Sequence, residues 1–375
     1  MGDVKIREVL TEADIKEFIA FPLGLYKTSE YFVPPLYADE KKLLRKGGDK
    51  EIADSVFFLA ELCGETVGRI QGIIQKQYNS LHGCREVRFT RFDAIDDSSV
   101  SRALFDAVAN WGRERGMTDM VGPLGYSDLD REGLLIEGFF EHQTFEEQYN
   151  YEYYPALVED YGFSKDVDWL EFELRAPEKK NEMLARVAKR CLEMNKLHVA
   201  DSSGMSKRKY IEKYRDGFFE CLDKCYSKLY GTVPITRDMQ DELISQFMLV
   251  VNKKYLVFIC DEQERVVAFG LCFPSISEAV RGTKGRINPL VLAKLIAAVV
   301  RPKIIDLALV AVLPEYQNAG LNAVILNALV DMLSDGTVEK CETNLNLETN
   351  AAVLAQWKHF SARQHKRRRS YRIKL

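Results

Sequence analysis

No Cys-x-x-Cys pair occurs in the chain, and its eight cysteines (63, 84, 191, 221, 225, 260, 272 and 341) are scattered. Cys221 and Cys225 stand one helical turn apart, but the closest histidine is His198, well upstream. That spacing reads as two cysteines on a helix rather than as a metal site. Most of the others fall in apolar runs and read as small buried hydrophobes. The expectation is a protein of a reduced cytoplasm with no metal centre. Long apolar runs are missing too. The start, MGDVKIREVLTEADIKEF, lacks the apolar centre of a signal peptide. The most apolar run, PLVLAKLIAAVV (289–300), is about half a bilayer span and carries Lys294. Asn288 suits its cap, Pro289 its first position and Pro302 its stop, which predicts a buried helix and no membrane span. Charge of one sign is not in excess either. A net charge of −4 gives no overall attraction to nucleic acid or acidic lipid and leaves only local patches. What remains is 375 residues with 46% hydrophobic and 29% charged side chains, an ordinary globular composition with length for about two domains.

The chain shows one plan twice. FFLAEL (57–62) and TVGRIQGII (66–74) flank a Cys-Gly-Glu turn, and VRFTRFDAI (87–95) is a further strand candidate. Val100, Leu104, Val108 and Trp111 then mark one helical face, with Ser98 or Ser99 as its cap and Gly116 near its end. MTDMVGPLG follows as a short strand. In the second half YLVFIC (255–260), VVAFGLCF (266–273), IIDLALVAV (304–312), a helix from Leu321, CETNLNL (341–347) and a helix from Asn350 to Phe360 repeat the order. Val266 lies 200 residues after Thr66, and Asn318 lies 219 after Ser99. The extra length is about that of the inserted apolar helix. The polar stretch APEKKN (176–181) is the expected junction, giving domains 1–176 and 177–375, and Arg208 to Tyr230 is a helical opening for the second.

Hairpin, long strand, helix, splayed strand, helix, final strand is the order of the GNAT acyltransferase fold. The run LALVAVLPEYQNAGLNAVIL (307–326) resembles the acyl-CoA motif of that superfamily, in which an apolar strand ends in Val-x-Pro-x-Tyr and a Gln/Arg-x-x-Gly-x-Gly/Ala turn opens a helix. The resemblance implies an α/β fold of mixed sheets, two tandem GNAT-like domains, and acetyl-CoA or another acyl-CoA as cofactor. Its contacts would come from Val310, Val312 and Leu313 on the strand and from Gln317, Asn318, Ala319, Gly320, Leu321 and Asn322 at the turn. Physically, the first amides of a helix lack intrahelical partners and sit at the positive end of its dipole, which suits a diphosphate. The other reading is a plain strand-to-helix turn. Asn322 departs from the motif, where Gly or Ala is usual. The first half has Asp93, Asp96 and Asp97 at the corresponding junction and no glycine, so one cofactor per chain is expected. The whole chain also resembles a group of bacterial GNAT-type proteins of this length, through YFVPPLYADE (31–40), GPLGYSDLDREGLLIEGF (122–139), NYEYY (150–154), YGFSKDVDW (161–169) and the tail WKHFSARQHKRRRSYRIKL.

By that resemblance the chain is an N-acetyltransferase that moves an acyl group onto the amine of a small molecule or peptide. Glu342 or Glu348 is the candidate base and Asn344 a positioner, because alternation along ETNLNLETN places them with Asn346 on one strand face. A solvated face is the bland alternative. Asn350 matches a motif Asn and reads first as helix punctuation, then as a cofactor contact. Seven residues on, Trp357 stands where the superfamily often has an acid tyrosine, and its periodicity with Val353 and Phe360 reads as core. Residues 122–169 are dense in aromatics and acids with little periodicity, so a loop-rich segment is expected. Tyr126, Asp128, Glu137, Tyr151 and Tyr153 would then line an acceptor pocket, or else form a self-packed loop. HKRRRSYRIK (365–374) reads as a solvated final strand, with nucleic acid weakly supported. Two other functions fit the same features: an aminoacyl transferase of the Fem kind, using aminoacyl-tRNA, and a non-catalytic acyl-CoA sensor.

Overall fold

The computed structural model describes residues 3–46, 50–179 and 181–375. In chain order the elements are β1 (Lys5–Glu8), α1 (Glu12–Leu25), α2 (Tyr37–Lys46), β2 (Ala53–Leu62), β3 (Glu65–Gln75), α3 (Lys76–His82), β4 (Glu86–Ala94), α4 (Ser98–Arg113), β5 (Asp119–Gly122), β6 (Leu134–Glu137), α5 (Tyr154–Tyr161) and β7 (Ser164–Arg175). There follow α6 (Glu182–Asn195), β8 (His198–Val199), α7 (Lys207–Tyr226), α8 (Arg237–Phe247), β9 (Leu256–Cys260), β10 (Val266–Pro274), α9 (Ser277–Val280) and α10 (Pro289–Val300). The chain ends with β11 (Ile304–Val312), α11 (Leu321–Ser334), β12 (Lys340–Thr343), β13 (Asn346–Leu347), α12 (Ala351–Leu354) and β14 (Ser361–Lys374). Two compact units result. The first takes the chain to Leu170, with Val280–Val291 and His365–Leu375, and the second takes Glu171–Ala279 and Leu292–Gln364.

In the first unit β1, β2, β3 and β4 form an antiparallel run, and β4 then pairs parallel with β5 over Glu86, Val87 and Arg88 only. The two strands part at Phe89, whose carbonyl takes the amide of Leu124. β14 pairs antiparallel with the other edge of β5, Tyr371 opposite Gly122. In the second unit β8, β9, β10 and β11 repeat the antiparallel run, and β11 pairs parallel with β12 from Ile304 to Leu307. These strands also part, after the Asn344 amide donates to the Leu307 carbonyl. Both halves therefore carry the same strand–helix–strand unit with a splayed parallel pair, as the repeated plan predicted. One further detail recurs. A Cβ at Gly68 of β3 would lie 2.8 Å from Leu104 of α4, and one at Gly270 of β10 would lie 2.7 Å from Ile325 of α11. In each half a missing side chain lets the helix settle on the sheet.

Three expectations change and one holds. The sequence reading placed 177–375 in the second domain, but residues 365–375 belong to the first unit, because β14 donates its backbone to β5 and buries Arg368, Ser370 and Tyr371 there. Asp97 caps α4, accepting from the Ser99 amide at 2.8 Å, where Ser98 or Ser99 was expected. The segment 122–169 is loop-rich as expected, with residues 123–133 and 138–153 outside helix and strand and β6, α5 and the start of β7 as its short regular elements. α10 is helical and capped by Asn288 as expected, but it is not buried: Val291 and Leu295 face inward and most of its other residues are exposed.

Candidate functional site

The second unit's site is built by the strand, turn and helix from β11 to α11. β11 runs as a covered apolar strand to Leu313, whose amide donates to Val267 on β10. Pro314 starts a short 3-10 turn, and Tyr316, Gln317 and Ala319 donate back to Leu313, Pro314 and Tyr316 in succession. The Gln317 side chain folds under the turn and donates to the Val312 carbonyl at 3.3 Å. Gly320 closes the turn with φ of +85°, a left-handed conformation that glycine adopts without cost. The nearest atom to a Cβ there would be Cys191 Sγ at 3.9 Å, so backbone conformation, not space, calls for glycine. Cys191 itself, on α6, donates to the Ala319 carbonyl at 3.0 Å and braces the turn from outside.

The start of α11 has no side-chain cap. Ala323 donates to the Gly320 carbonyl, so the amides of Leu321 and Asn322 are left without an intrahelical acceptor. Leu321 is buried, whereas Asn318 is exposed and Gly320 and Asn322 are half-buried. The corresponding start of α4 in the first unit is the reverse case, since Asp97 fills it with a carboxylate of its own. An anion can be accepted at α11 and is pre-empted at α4.

The strand edge expected to bind a pantetheine arm is already engaged. Tyr226, the last residue of α7, donates its hydroxyl to the Val310 carbonyl at 3.2 Å and accepts from the Val310 amide at 3.4 Å. Two residues along the same edge, the Val312 carbonyl takes the Cys225 thiol at 3.2 Å. Sequence reasoning missed both residues. The spacing Cys221, Cys225, Tyr226 in a helix was visible, but nothing in it says that α7 lies along β11.

At the point where β11 and β12 part, Asn344 holds the last link between them through its amide. Its side-chain Oδ1 is buried with no hydrogen bond, an acceptor without a donor at the mouth of the splay. Glu342 is buried on β12, and Lys340 donates to it at 2.6 Å and to Glu173 at 3.1 Å. Burial works against the Glu173 carboxylate, but the hydrogen bonds and charges of Lys340 and Arg175 together outweigh it and hold the group down to about 2. The four-residue alternation expected along ETNLNLETN does not persist. β12 stops at Thr343, β13 covers only Asn346 and Leu347, and Glu348 lies in the following turn. Asn346 turns inward to donate to Thr343 Oγ1 at 2.8 Å and the Asn344 carbonyl at 2.7 Å. A splayed strand loses its ladder beyond the fork, so side chains there no longer alternate. Asn350 accepts from the Val353 amide at 3.2 Å and so punctuates α12. Trp357 is buried against Phe172 and Phe360, the core position its periodicity indicated.

The residues expected to line an acceptor pocket all lie in the first unit. Tyr153 donates to the Ala94 carbonyl at 2.7 Å and Tyr151 to the Leu25 carbonyl at 3.2 Å, and their rings pack with Tyr26, Tyr149 and Tyr154. Glu137 pairs with Arg367 at 3.4 Å. Tyr126 accepts from Gln71 at 2.9 Å, and its amide donates to Asp130 at 2.7 Å. Asp128 stands beside buried Glu132, whose carboxyl is pushed up first by burial and then by Asp128. Tyr126 thus belongs to a buried polar chain: Gln71 also accepts from Arg91 at 2.9 Å, and Arg91 forms a two-pronged pair with Glu40 at 2.8 and 3.0 Å. Among the described residues no cluster of His, Cys, Asp and Glu could hold a metal ion, and no helix is long and apolar enough to cross a membrane.

Two splayed units in one chain, with a strand–turn–helix junction in each, define the tandem GNAT fold. A tandem GNAT protein from the clavulanic acid biosynthesis pathway, solved without acetyl-CoA, superposes with a TM-score of 0.57 at 10% identity, covering 99% of this chain and 98% of its own. No family model matches the chain. Among curated proteins, it is 26% identical over 384 residues to Protein YghO of Escherichia coli (strain K12), covering 98% of this chain and 94% of that one. It is 28% identical over 301 residues to the bacterial ceramide synthase of Caulobacter vibrioides, covering 79% and 76%.

Proposed function

We propose that the chain is an acyl-CoA-dependent N-acyltransferase with one cofactor site, in its second unit. The observation that carries this reading is the uncapped start of α11 after Gly320, set against the Asp97-capped start of α4. The amides of Leu321 and Asn322, with the exposed Asn318 side chain, would hold the diphosphate. The backbone of Val310 and Val312 would hold the pantetheine arm once Tyr226 and Cys225 give way. The bound thioester supplies the activated acyl group. Asn344 Oδ1, buried without a donor, is placed to accept from the N–H of an incoming amine and so orient its lone pair. Glu342 remains the candidate base on β12, held in place by the Lys340 ammonium at 2.6 Å.

An amine acceptor is further supported by the Caulobacter relative. Ceramide, the product its name states, is an amide of a fatty acid with a long-chain amino alcohol. We extend that chemistry to this chain: the acceptor is an amphipathic primary amine and the donor an acyl-CoA. Thermal shift with acetyl-CoA, a long-chain acyl-CoA, free CoA and tRNA tests the cofactor. Stabilisation by the CoA species and not by tRNA is expected, and no shift with any CoA ends this reading. Thiol release with a panel of amines then tests catalysis. Asn344→Ala and Glu342→Gln should each lower turnover with little change in CoA affinity, and an unchanged rate removes the residue from the mechanism.

A further inference from the structure

α10 is built like a helix of the protein interior and placed on its surface. Its twelve residues, PLVLAKLIAAVV, include one charge, Lys294. Only Val291 and Leu295 are buried, one turn apart, so a narrow stripe anchors the helix. The Asn252 side chain fixes its end by donating to the Val299 carbonyl at 3.0 Å. The remaining face is apolar and open: Leu290 is 67% exposed, Leu292 40%, Ile296 52% and Val300 64%, with Ala293 and Ala297 between them. At 100° per residue, Ile296, Val300, Ala293, Ala297 and Leu290 follow one another around that face with no polar residue among them. An apolar patch of this kind on an otherwise charged protein marks a surface that something covers.

The charges around it indicate what covers it. Between Val280 and Asp306 there are six basic residues (Arg281, Lys284, Arg286, Lys294, Arg301 and Lys303) and no acid, in a chain whose net charge is −4. Arg281 and Arg286 already contact His142 and Tyr37, and Lys303 pairs with Glu339 at 3.4 Å. Lys294 and Arg301 are exposed, one on the flank of the apolar face and one just past its end. Their long side chains can lay methylenes along apolar surface and lift their charges outward. A second copy of the chain would bring the same cations face to face about a two-fold axis, which like charges oppose. A lipid headgroup layer of negative charge over an acyl interior matches both features at once.

We propose that α10 is an interfacial helix that seats the protein on an anionic membrane surface, with Leu290, Ile296 and Val300 entering the acyl boundary and Lys294 and Arg301 among the headgroups. The binding is peripheral: among the described residues no helix is long and apolar enough to cross a membrane. This placement is independent of the acyl-transfer reading, since it rests on no residue of the α11 site.

Flotation of the full chain with vesicles of phosphatidylcholine, with and without phosphatidylglycerol, is the test. Two cations near an anionic surface should raise the bound fraction by roughly tenfold or more over neutral vesicles. Ile296→Glu with Val300→Glu should abolish binding to both vesicle types. Lys294→Glu with Arg301→Glu should abolish the preference for the anionic ones. The altered side chains are exposed, so melting temperatures should match the parent protein. Failure of the parent to bind anionic vesicles overturns the proposal, as does binding that survives the glutamate pair in α10. A dimer in sedimentation without vesicles, dispersed by that same pair, also overturns it and assigns the face to a second copy.

Discussion

Tyr226→Phe separates two roles that one hydroxyl now combines. The group donates to the Val310 carbonyl at 3.2 Å and accepts from the Val310 amide at 3.4 Å, so it ties α7 to the open edge of β11. Both bonds are long, and together they are weighed here as one ordinary hydrogen bond, about 1 kcal/mol net. If the pantetheine arm uses the same backbone groups, binding must first displace the hydroxyl and forfeit that amount. Phenylalanine removes the competitor while keeping the ring. CoA affinity measured by titration calorimetry should therefore rise about fivefold, since about 1.4 kcal/mol corresponds to tenfold. The ligand-free protein should melt lower than the parent, because Val310 loses its partner. The two signs oppose each other, which few structural perturbations would imitate. An affinity that is unchanged or weaker refutes the reasoning, and a weaker one makes the hydroxyl part of the cofactor site.

Three other outcomes are expected. Burial pushes the Glu146 carboxyl up to about 7 from its ordinary 4.5, so the folded chain holds a proton that the unfolded chain has released. Its contribution to stability is full below about pH 4.5 and is lost as pH rises towards 7; melting temperatures across that window should fall less for Glu146→Gln than for the parent. Deleting residues 365–375 removes the partner of β5 and the buried Tyr371 and Arg368, and circular dichroism should show loss of the first unit's cooperative melting. Trp357→Phe trims a buried core ring, costing about 1–3 kcal/mol in urea unfolding with CoA affinity unchanged; a change in affinity would place the indole in the cofactor site instead.

Much of the fold was legible because it is periodic. The hairpins, the helix from Val100 and the repeat of the plan follow from apolar spacing, and Gly320 marked the turn before α11, whose left-handed conformation only the backbone shows. What escaped has a common cause: it depends on partners distant in the chain. α10 carries the pattern of an interior helix, and pattern alone cannot tell a core from a surface that awaits a partner. The fork between β11 and β12 ends the alternation that made Glu342, Asn344, Asn346 and Glu348 look like one face. Tyr151 and Tyr153 suggest a pocket by composition, yet each spends its hydroxyl on a backbone carbonyl in the first unit. Tyr226 and Cys225 could be found only by knowing where α7 lies. The same holds for the final strand, whose basic face gave no hint of its neighbour.

That final strand bears on how the protein comes to exist. The first unit's sheet needs residues 371–374, so during synthesis β5 waits with an open edge while residues 171–364 of the second unit are made. The first half can collapse early, but its sheet closes only after residues 371–374 have been made. The closing contact spans about 250 residues, a loop whose closure is slow and which leaves a strand edge exposed to other chains in the meantime. A cut at the 176–181 junction would therefore leave the first unit without the strand that pairs with β5.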